Sequence, residues 1–336
     1  MSKHIPYPSI EQFRNAIHKV TAQARKTGVD ANGDPVFDHA KVLPVLTYEG
    51  TVKLHGTNAA IGLDKATDEI WFQSRENVIT LEKDNAGFVR NFVGVTKEDM
   101  LKLFEGITGM VIIIYGEWCG GSIQPNVGIA GLSKRFVIFG VQSDGKWLSK
   151  SVVSKVEAEE FGVYNIYDIP SETIDIDFNH PELSQNKLAD LTAKVEVGCP
   201  FAKKHGTDGV GEGIVWKCVT PGWESPEFYF KVKGELHSAS KVKTLAAVDV
   251  ERVKSQQEFA EKTVTDNRCR QGIDKLREAG KKLDRTSVGD FIKWVVADVE
   301  KEESDTAAAS GIDLKKATGE LAKAARTWFF KNEMTF

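Results

Sequence analysis

The sequence predicts an α+β domain followed by a small all-helical one. Three observations carry this. Between Val42 and about Lys233 the apolar residues come in short runs split by Gly, Asn and Asp; after about Leu245 they recur at helical spacing; and no proline follows Pro226. A chain of 336 residues is long enough for two cores. The boundary is drawn at 243/244, giving domains 1–243 and 244–336.

Taken in order, Ser9 with Gln12 forms a capping-box pattern ahead of Ile10, Phe13, Ile17 and Val20, which predicts a helix over about 9–25. Gly28 to His39 carries turn chemistry and is expected to be a surface loop. The runs at 59–63, 70–73, 110–115, 136–141, 213–217 and 228–233 predict strands of mostly antiparallel sheets, with helices at about 81–92, 97–106 and 150–161. Near the end, Val288, Phe291, Ile292, Val295 and Val299 follow a Thr286-Ser287 cap, and Leu314, Ala317, Leu321, Ala324 and Trp328 mark one face of a last helix. The acidic run Glu300 to Asp305 is expected to be a solvated helix end and loop.

Composition narrows the partners. Lys plus Arg total 44 against 48 for Asp plus Glu, a net charge of -4, so any nucleic-acid contact must be a local basic surface. Cys119, Cys199, Cys218 and Cys269 form no C-x-x-C pair, which argues against structural zinc and against a disulfide framework. The N-terminus lacks an apolar leader and Met110 to Ile114 is too short to cross a bilayer, so a cytoplasmic protein without a membrane partner is expected.

The chemistry centres on Thr51-Val52-Lys53-Leu54-His55-Gly56-Thr57-Asn58. Lys53 ends an apolar, strand-like run, and a lysine can attack phosphorus once a site removes its proton. Gly56 would let backbone approach a phosphate. Four more stretches place polar groups at strand ends: Ser74-Arg75, Gly116-Glu117, Asp208 to Lys217 with Glu212 at its centre, and Lys231-Val232-Lys233, whose alternation puts both ammonium groups on one face. Together they offer cations for phosphates, carboxylates for ribose and a hydrated metal, and a nucleophile. Singly, each also reads as an ordinary surface ion pair or strand-edge charge.

In this order the motifs Lys-x-x-Gly, Arg, Gly-Glu, Glu-Gly-x-Val-x-Lys and Lys-x-Lys resemble those of the covalent nucleotidyltransferase superfamily of polynucleotide ligases and mRNA capping enzymes. Tyr7-Pro8-Ser9-Ile10-Glu11, Lys53 to Asn58, and Tyr115 to Trp118 through Ile123-Gln124-x-Asn126-Val127 are similar to the phage-type RNA ligase 2 family. The resemblance implies an ATP-grasp-like nucleotidyltransferase domain of antiparallel sheets with flanking helices. It implies an ATP-dependent RNA ligase that joins 3'-OH and 5'-phosphate ends, with magnesium, or manganese in its place. Lys53 would take AMP; His55 would serve sealing; Leu54 and Asn58 would contact the adenylate; Arg75 would act on the nucleotide and the RNA end. Glu117 would hold the ribose, Phe139 would stack on adenine, Glu212 would bind the metal through water, and Lys231 and Lys233 would contact the α-phosphate. Nearby cations are expected to lower the pKa of Lys53.

Val52 and Gly140 depart from the acidic residues expected at those places. Between Lys231 and Lys243 four lysines and His237 face the single acid Glu235, so that stretch, with Lys241 and Lys243, is expected either to hold phosphates or to keep a linker solvated. The resemblance further implies that the helical domain helps dock duplex RNA, read by A-form shape, and leans towards a phage rather than a cellular source; a monomer in a bacterial cytoplasm is expected. A DNA ligase, a capping-type guanylyltransferase and a catalytically silent end-binding module stay open as alternatives; the helical tail speaks against the first two, which usually carry an OB-fold there.

Overall fold

The computed structural model describes residues 4–121, 123–238 and 255–332. Lys241, Lys243 and the boundary at 243/244 lie outside them. The described residues divide into two compact units. Residues 4–10, 45–176 and 188–234 form a sheet-rich unit; 11–44, 177–187 and the residues from 235 on form a helical one.

The helical unit begins with β1 (Glu11–Gln12), α1 (Phe13–Arg25) and an exposed hairpin of β2 (Lys26–Val29) and β3 (Pro35–Phe37). The helix starts later than the Ser9 capping pattern predicts. Gln12 stands at its N-cap without a side-chain bond, and Ser9 accepts a hydrogen bond from Arg75 instead. The expected loop at 28–39 is a hairpin because its turn residues close on themselves: Asp30 Oδ1 accepts from the backbone N–H of Asn32 (2.8 Å) and Asp34 (2.9 Å).

The sheet-rich unit carries β4 (Val45–Lys53), β5 (Thr57–Asp64), β6 (Glu69–Ser74), β7 (Val78–Ile79), α2 (Phe88–Asn91), α3 (Lys97–Lys102), β8 (Val111–Cys119), β9 (Arg135–Ser143), β10 (Lys146–Trp147), α4 (Lys150–Val153), β11 (Val163–Asn165), β12 (Glu172–Asp177), α5 (Gln185–Val197), α6 (Pro200–Lys204), β13 (Gly213–Cys218) and β14 (Phe230–Lys233). The predicted strands are present, most with wider bounds; the last is shorter, Phe230–Lys233 rather than 228–233, because a 3-10 turn takes Pro226–Phe228. The predicted helices are shorter: Gly87 adopts φ 85°, a left-handed conformation that delays the first to Phe88–Asn91, and the second ends at Lys102 with Leu103 as its C-cap. One sheet contains the order β14-β13-β4-β12; the other runs β10-β9-β8-β5-β6-β7, with β11 parallel to β9.

Alternation then sorts the side chains. On β4, Leu46, Tyr48 and Val52 are buried, as are Ile214 and Trp216 on β13 and Phe230 and Val232 on β14. The opposite face of this sheet holds Glu49, Thr51, Lys53, Val215, Lys217, Lys231 and Lys233, because Lys53, Gly213 and Lys233 stand opposite one another, as do Thr51, Val215 and Lys231. Across the second sheet, Ile61, Leu63, Ile112, Ile114, Phe136 and Ile138 pack with Phe88, Phe92, Met100 and Phe104 into the main core.

Helices α7 (Gln256–Thr263), α8 (Asp266–Glu278), α9 (Val288–Glu302), α10 (Ser304–Ala309) and α11 (Leu314–Asn332) complete the helical unit. The buried stripe of α11 is Ala317, Leu321, Ala325 and Phe329, one residue round from the predicted Ala324 and Trp328. The Glu300 to Asp305 run is not simply solvated: Glu303 is fully buried, accepting from Arg14 Nη2 (3.0 Å) and Arg268 Nη2 (3.2 Å). All four cysteines are free and buried. No helix among the described residues is long and apolar enough to cross a membrane.

Candidate active site

The site grows from the end of β4. Lys53 is the last residue of that strand, and the chain must turn sharply through Gly56 to begin β5. A Cβ on Gly56 would lie 2.4 Å from the Trp118 carbonyl oxygen and 2.7 Å from Cys119 Cβ. The glycine is therefore required for close approach of the turn to β8.

Glu212 lies just before β13, beside Lys53 and Lys233, and its side chain is 1% exposed. Its Oε2 accepts from Lys53 Nζ at 2.6 Å and stands 3.4 Å from His55 Nδ1; its Oε1 is 2.9 Å from Lys233 Nζ. One carboxylate thus gathers three of the sequence-predicted residues. Burial disfavours its charge, but Lys233, Lys53 and His55 outweigh that and hold it well below the usual carboxylate range.

The two lysines diverge although they share this acid. Burial pushes Lys53 down; Glu212 and then Glu117 outweigh it, so Lys53 sits above its ordinary value. Lys233 sits below its own, because burial comes first and Lys53 and Lys231 oppose the help from Glu212. This corrects the expectation that cations lower the pKa of Lys53: with two carboxylates nearby it is held as the ammonium, and the smaller influence of Arg75 does not reverse that.

Glu117 lies on β8 opposite Asn58 on β5 and accepts from the Gly56 N–H at 3.0 Å. Burial, opposed by Lys53 and reinforced by Glu212, raises it to about 7. The sign for stability follows. An unfolded glutamate releases its proton near pH 4.3, so between there and pH 7 only the folded state holds it, and stability falls as pH rises through that window. Glu117→Gln, which keeps the acceptor for Gly56, is expected to gain on the order of 2 kcal/mol at pH 8 and nothing at pH 4. Melting curves at the two pH values check this; an equal shift at both would sink the assignment.

Phe139, half-buried, sits on a β-bulge. The register between β8 and β9 pairs Tyr115 with Gly140 and Gly116 with Ile138, leaving Phe139 as the extra residue. Nothing in the sequence pattern signals that bulge. Lys217, at the end of the Glu-Gly-x-Val-x-Lys motif and without an assigned role from sequence, donates to the Phe139 carbonyl oxygen (2.5 Å) and to the Tyr167 hydroxyl (3.2 Å). Burial, only partly offset by Glu49, pushes it down to about 8. Its signal was available: strand alternation places it on the face of Lys53.

Arg75 follows β6 and donates to Ser9 Oγ at 2.9 Å. Leu54 is buried. Lys231 is two residues from Lys233 on the same face, and its charge acts on that of Lys233. No group of three or more His, Cys, Asp or Glu able to hold a metal occurs among the described residues.

This arrangement can bind phosphates along Lys53, Lys231 and Lys233, place a planar ring at Phe139, and present an amine to an electrophile. No curated protein matches the sequence. Solved structures that match it include a Naegleria gruberi RNA ligase: an arginine-to-alanine variant with ATP and Mn (16% identity, TM-score 0.45, covering 70% of this chain and 58% of that one). A lysine-to-methionine variant with AMP and Mn matches at 17% identity and TM-score 0.44, and the enzyme with PPi at 18% and 0.43, each with the same 70% and 58% coverage. The match thus spans less than two thirds of those ligases. The family model for RNA ligase matches residues 46–233, from β4 through β14 and so over every strand that carries the site. The chain belongs to the RNA ligase family.

Proposed function

We propose that the protein is an ATP-dependent RNA ligase that joins 3'-OH and 5'-phosphate RNA ends, at nicks in duplex RNA or RNA/DNA hybrids, through lysyl-AMP and an adenylylated 5' end. The observation that carries this reading is Glu212 held between Lys53 and Lys233, at 2.6 and 2.9 Å, in a chain of this family. In the first step Lys53 Nζ bonds to the α-phosphorus of ATP, the bond to the β-phosphate oxygen breaks, and pyrophosphate leaves. A 5'-phosphate oxygen then attacks that phosphorus and releases the lysine. A 3'-hydroxyl attacks the adenylylated phosphate and expels AMP.

Lys53 must shed its proton before it attacks, and Glu212 with Glu117 holds that proton in place until nucleotide binds. Lys231 and Lys233 supply charge for the α-phosphate. The donor set fits a hydrated divalent ion, which needs only one or two carboxylates beside phosphate oxygens, and Glu212 would hold it through water. Bound magnesium or manganese would offset phosphate charge and compete for the carboxylates that keep Lys53 protonated. The residues after 244 would assist RNA engagement, and the enzyme would act as a monomer in the cytoplasm.

Intact mass after incubation with ATP and magnesium tests the reading. Wild type is expected to gain one AMP and Lys53→Ala none. A gain with GTP alone would favour a capping-type enzyme, and no gain with any nucleotide a silent binding module.

A further inference from the structure

The segment from His4 to Ile10 runs along the sheet-rich unit without joining a strand, yet it is held at several points. The buried amide of Gln73 grips Ile5 on both sides: Oε1 accepts from Ile5 N (3.3 Å) and Nε2 donates to Ile5 O (2.6 Å), which also accepts from the Tyr115 hydroxyl (3.0 Å). His4 Nε2 lies 3.2 Å from Ser74 O. Two residues on, the buried ring of Tyr7 wedges among three others, with centroids 5.3 Å from Tyr115, 4.9 Å from Phe139 and 5.2 Å from Trp147, the last two edge to face. Two residues further, exposed Ser9 accepts from Arg75. The segment thus touches two of the residues assigned to the nucleotide and the RNA end.

Gly140 explains why the wedge matters in this chain. A Cβ there would stand 3.6 Å from both Tyr7 and Trp147. Alanine would fit, but the longer side chain of an acid would be driven against two aromatic rings. Where an acid was expected beside Phe139, aromatic packing has taken the space. Phe139 sits on a bulge, so its ring is not fixed by a regular ladder. Its carbonyl is held by Lys217 and its ring edge by Tyr7.

We propose that Ile5 to Ser9 is a positioning strap for the active site: Tyr7 sets the plane of Phe139 for the base, and Ser9 aims Arg75. This rests on the ATP-dependent reading above. Neither residue is catalytic; each acts through the group it touches.

The test measures lysyl-AMP formation by intact mass against ATP concentration, and sealing of a nicked RNA duplex by adenylylated enzyme, in Tyr7→Leu, Tyr7→Phe, Ser9→Ala and Ser9→Thr. Tyr7→Leu is expected to raise the ATP concentration for half-maximal rate about 3- to 10-fold, the range of an aromatic pair, with the limiting rate little changed. Tyr7→Phe keeps the ring and is expected to match wild type. Ser9→Ala, on the surface and neutral for folding, is expected to slow sealing several-fold, with Ser9→Thr restoring it. If wild type takes no AMP, the ligase reading itself falls. If wild type takes AMP while Tyr7→Leu keeps its ATP dependence, or if Ser9→Ala seals like wild type, the strap is overturned and the ligase reading stands. Should Tyr7→Leu not fold, the Ser9 pair decides.

Discussion

Glu303→Ala melts its helical unit at a temperature well below wild type, the largest stability loss expected from any single change in that unit. The carboxylate is fully buried between two guanidinium groups, each also almost wholly buried. Arg14 further donates to Thr306 Oγ1 (2.7 Å) and to the Glu302 carbonyl; Arg268 donates to Asp298 Oδ2 (2.8 Å) and to the Thr263 carbonyl. Removing it takes a fully buried carboxylate from both guanidinium groups and leaves Asp298 as the acid on Arg268, which costs about 3–5 kcal/mol. For a unit of this size that is roughly 10 °C. The converse experiment separates pairing from packing: Arg14→Met, Glu303→Leu and Arg268→Met together are expected to recover most of the loss, since an apolar cluster has no charge to desolvate. Thermal melts of both proteins decide it. A Glu303→Ala protein as stable as wild type would mean that water reaches the arginines and that the cluster is not buried in solution.

That cluster also shows where sequence reading stops. Helical periodicity found α9 and α11, and period-two alternation found the strands bearing Lys53, Lys217, Lys231 and Lys233, because both signals are local. Glu303 was read as solvated because its run is acidic and its partners are distant: Arg14 lies 289 residues away and Arg268 35. The same holds for α1, which the sequence assigns to the first domain but whose Arg14 is anchored in the helical unit. In the site, residue types and order were legible, whereas the bulge that presents Phe139 and the clash that demands Gly56 arise from pairing with β8, which no short window reports. The charge state of Lys53 was misread for a related reason. The sequence places cations near Lys53 along the chain, but the balance is set by the two carboxylates beside the amine.

Glu212→Gln is expected to reverse that balance and to remove nearly all adenylate formation. The substitution keeps the size of the side chain and its carbonyl acceptor, but it deletes the charge shared by Lys53, His55 and Lys233. Burial, already the largest influence on Lys53, then goes largely unopposed, with only Glu117 resisting, so Lys53 falls below the ordinary lysine value. More of it is the free amine near neutral pH, yet the amine loses the 2.6 Å contact that fixes its place and, on the function proposed above, the phosphates lose the carboxylate that would carry hydrated metal, so a fall of about 10²-fold or more in the rate of AMP uptake is expected. The two effects have opposite signs and separate cleanly. Acylation of Lys53 by an amine reagent from pH 7 to 11, read by peptide mass, should rise with a midpoint above that of surface lysines in wild type and below it in Glu212→Gln. An unchanged midpoint would show that Glu212 does not govern the Lys53 proton. In acid, the linkage runs the other way from Glu117: the depressed Glu212 contributes stability above the unfolded carboxyl pKa and loses it as pH falls towards its own. Glu212→Gln should therefore flatten the acid limb of the wild-type melting profile while Glu117→Gln changes its neutral limb, so the two carboxylates on either side of Lys53 can be told apart by pH alone.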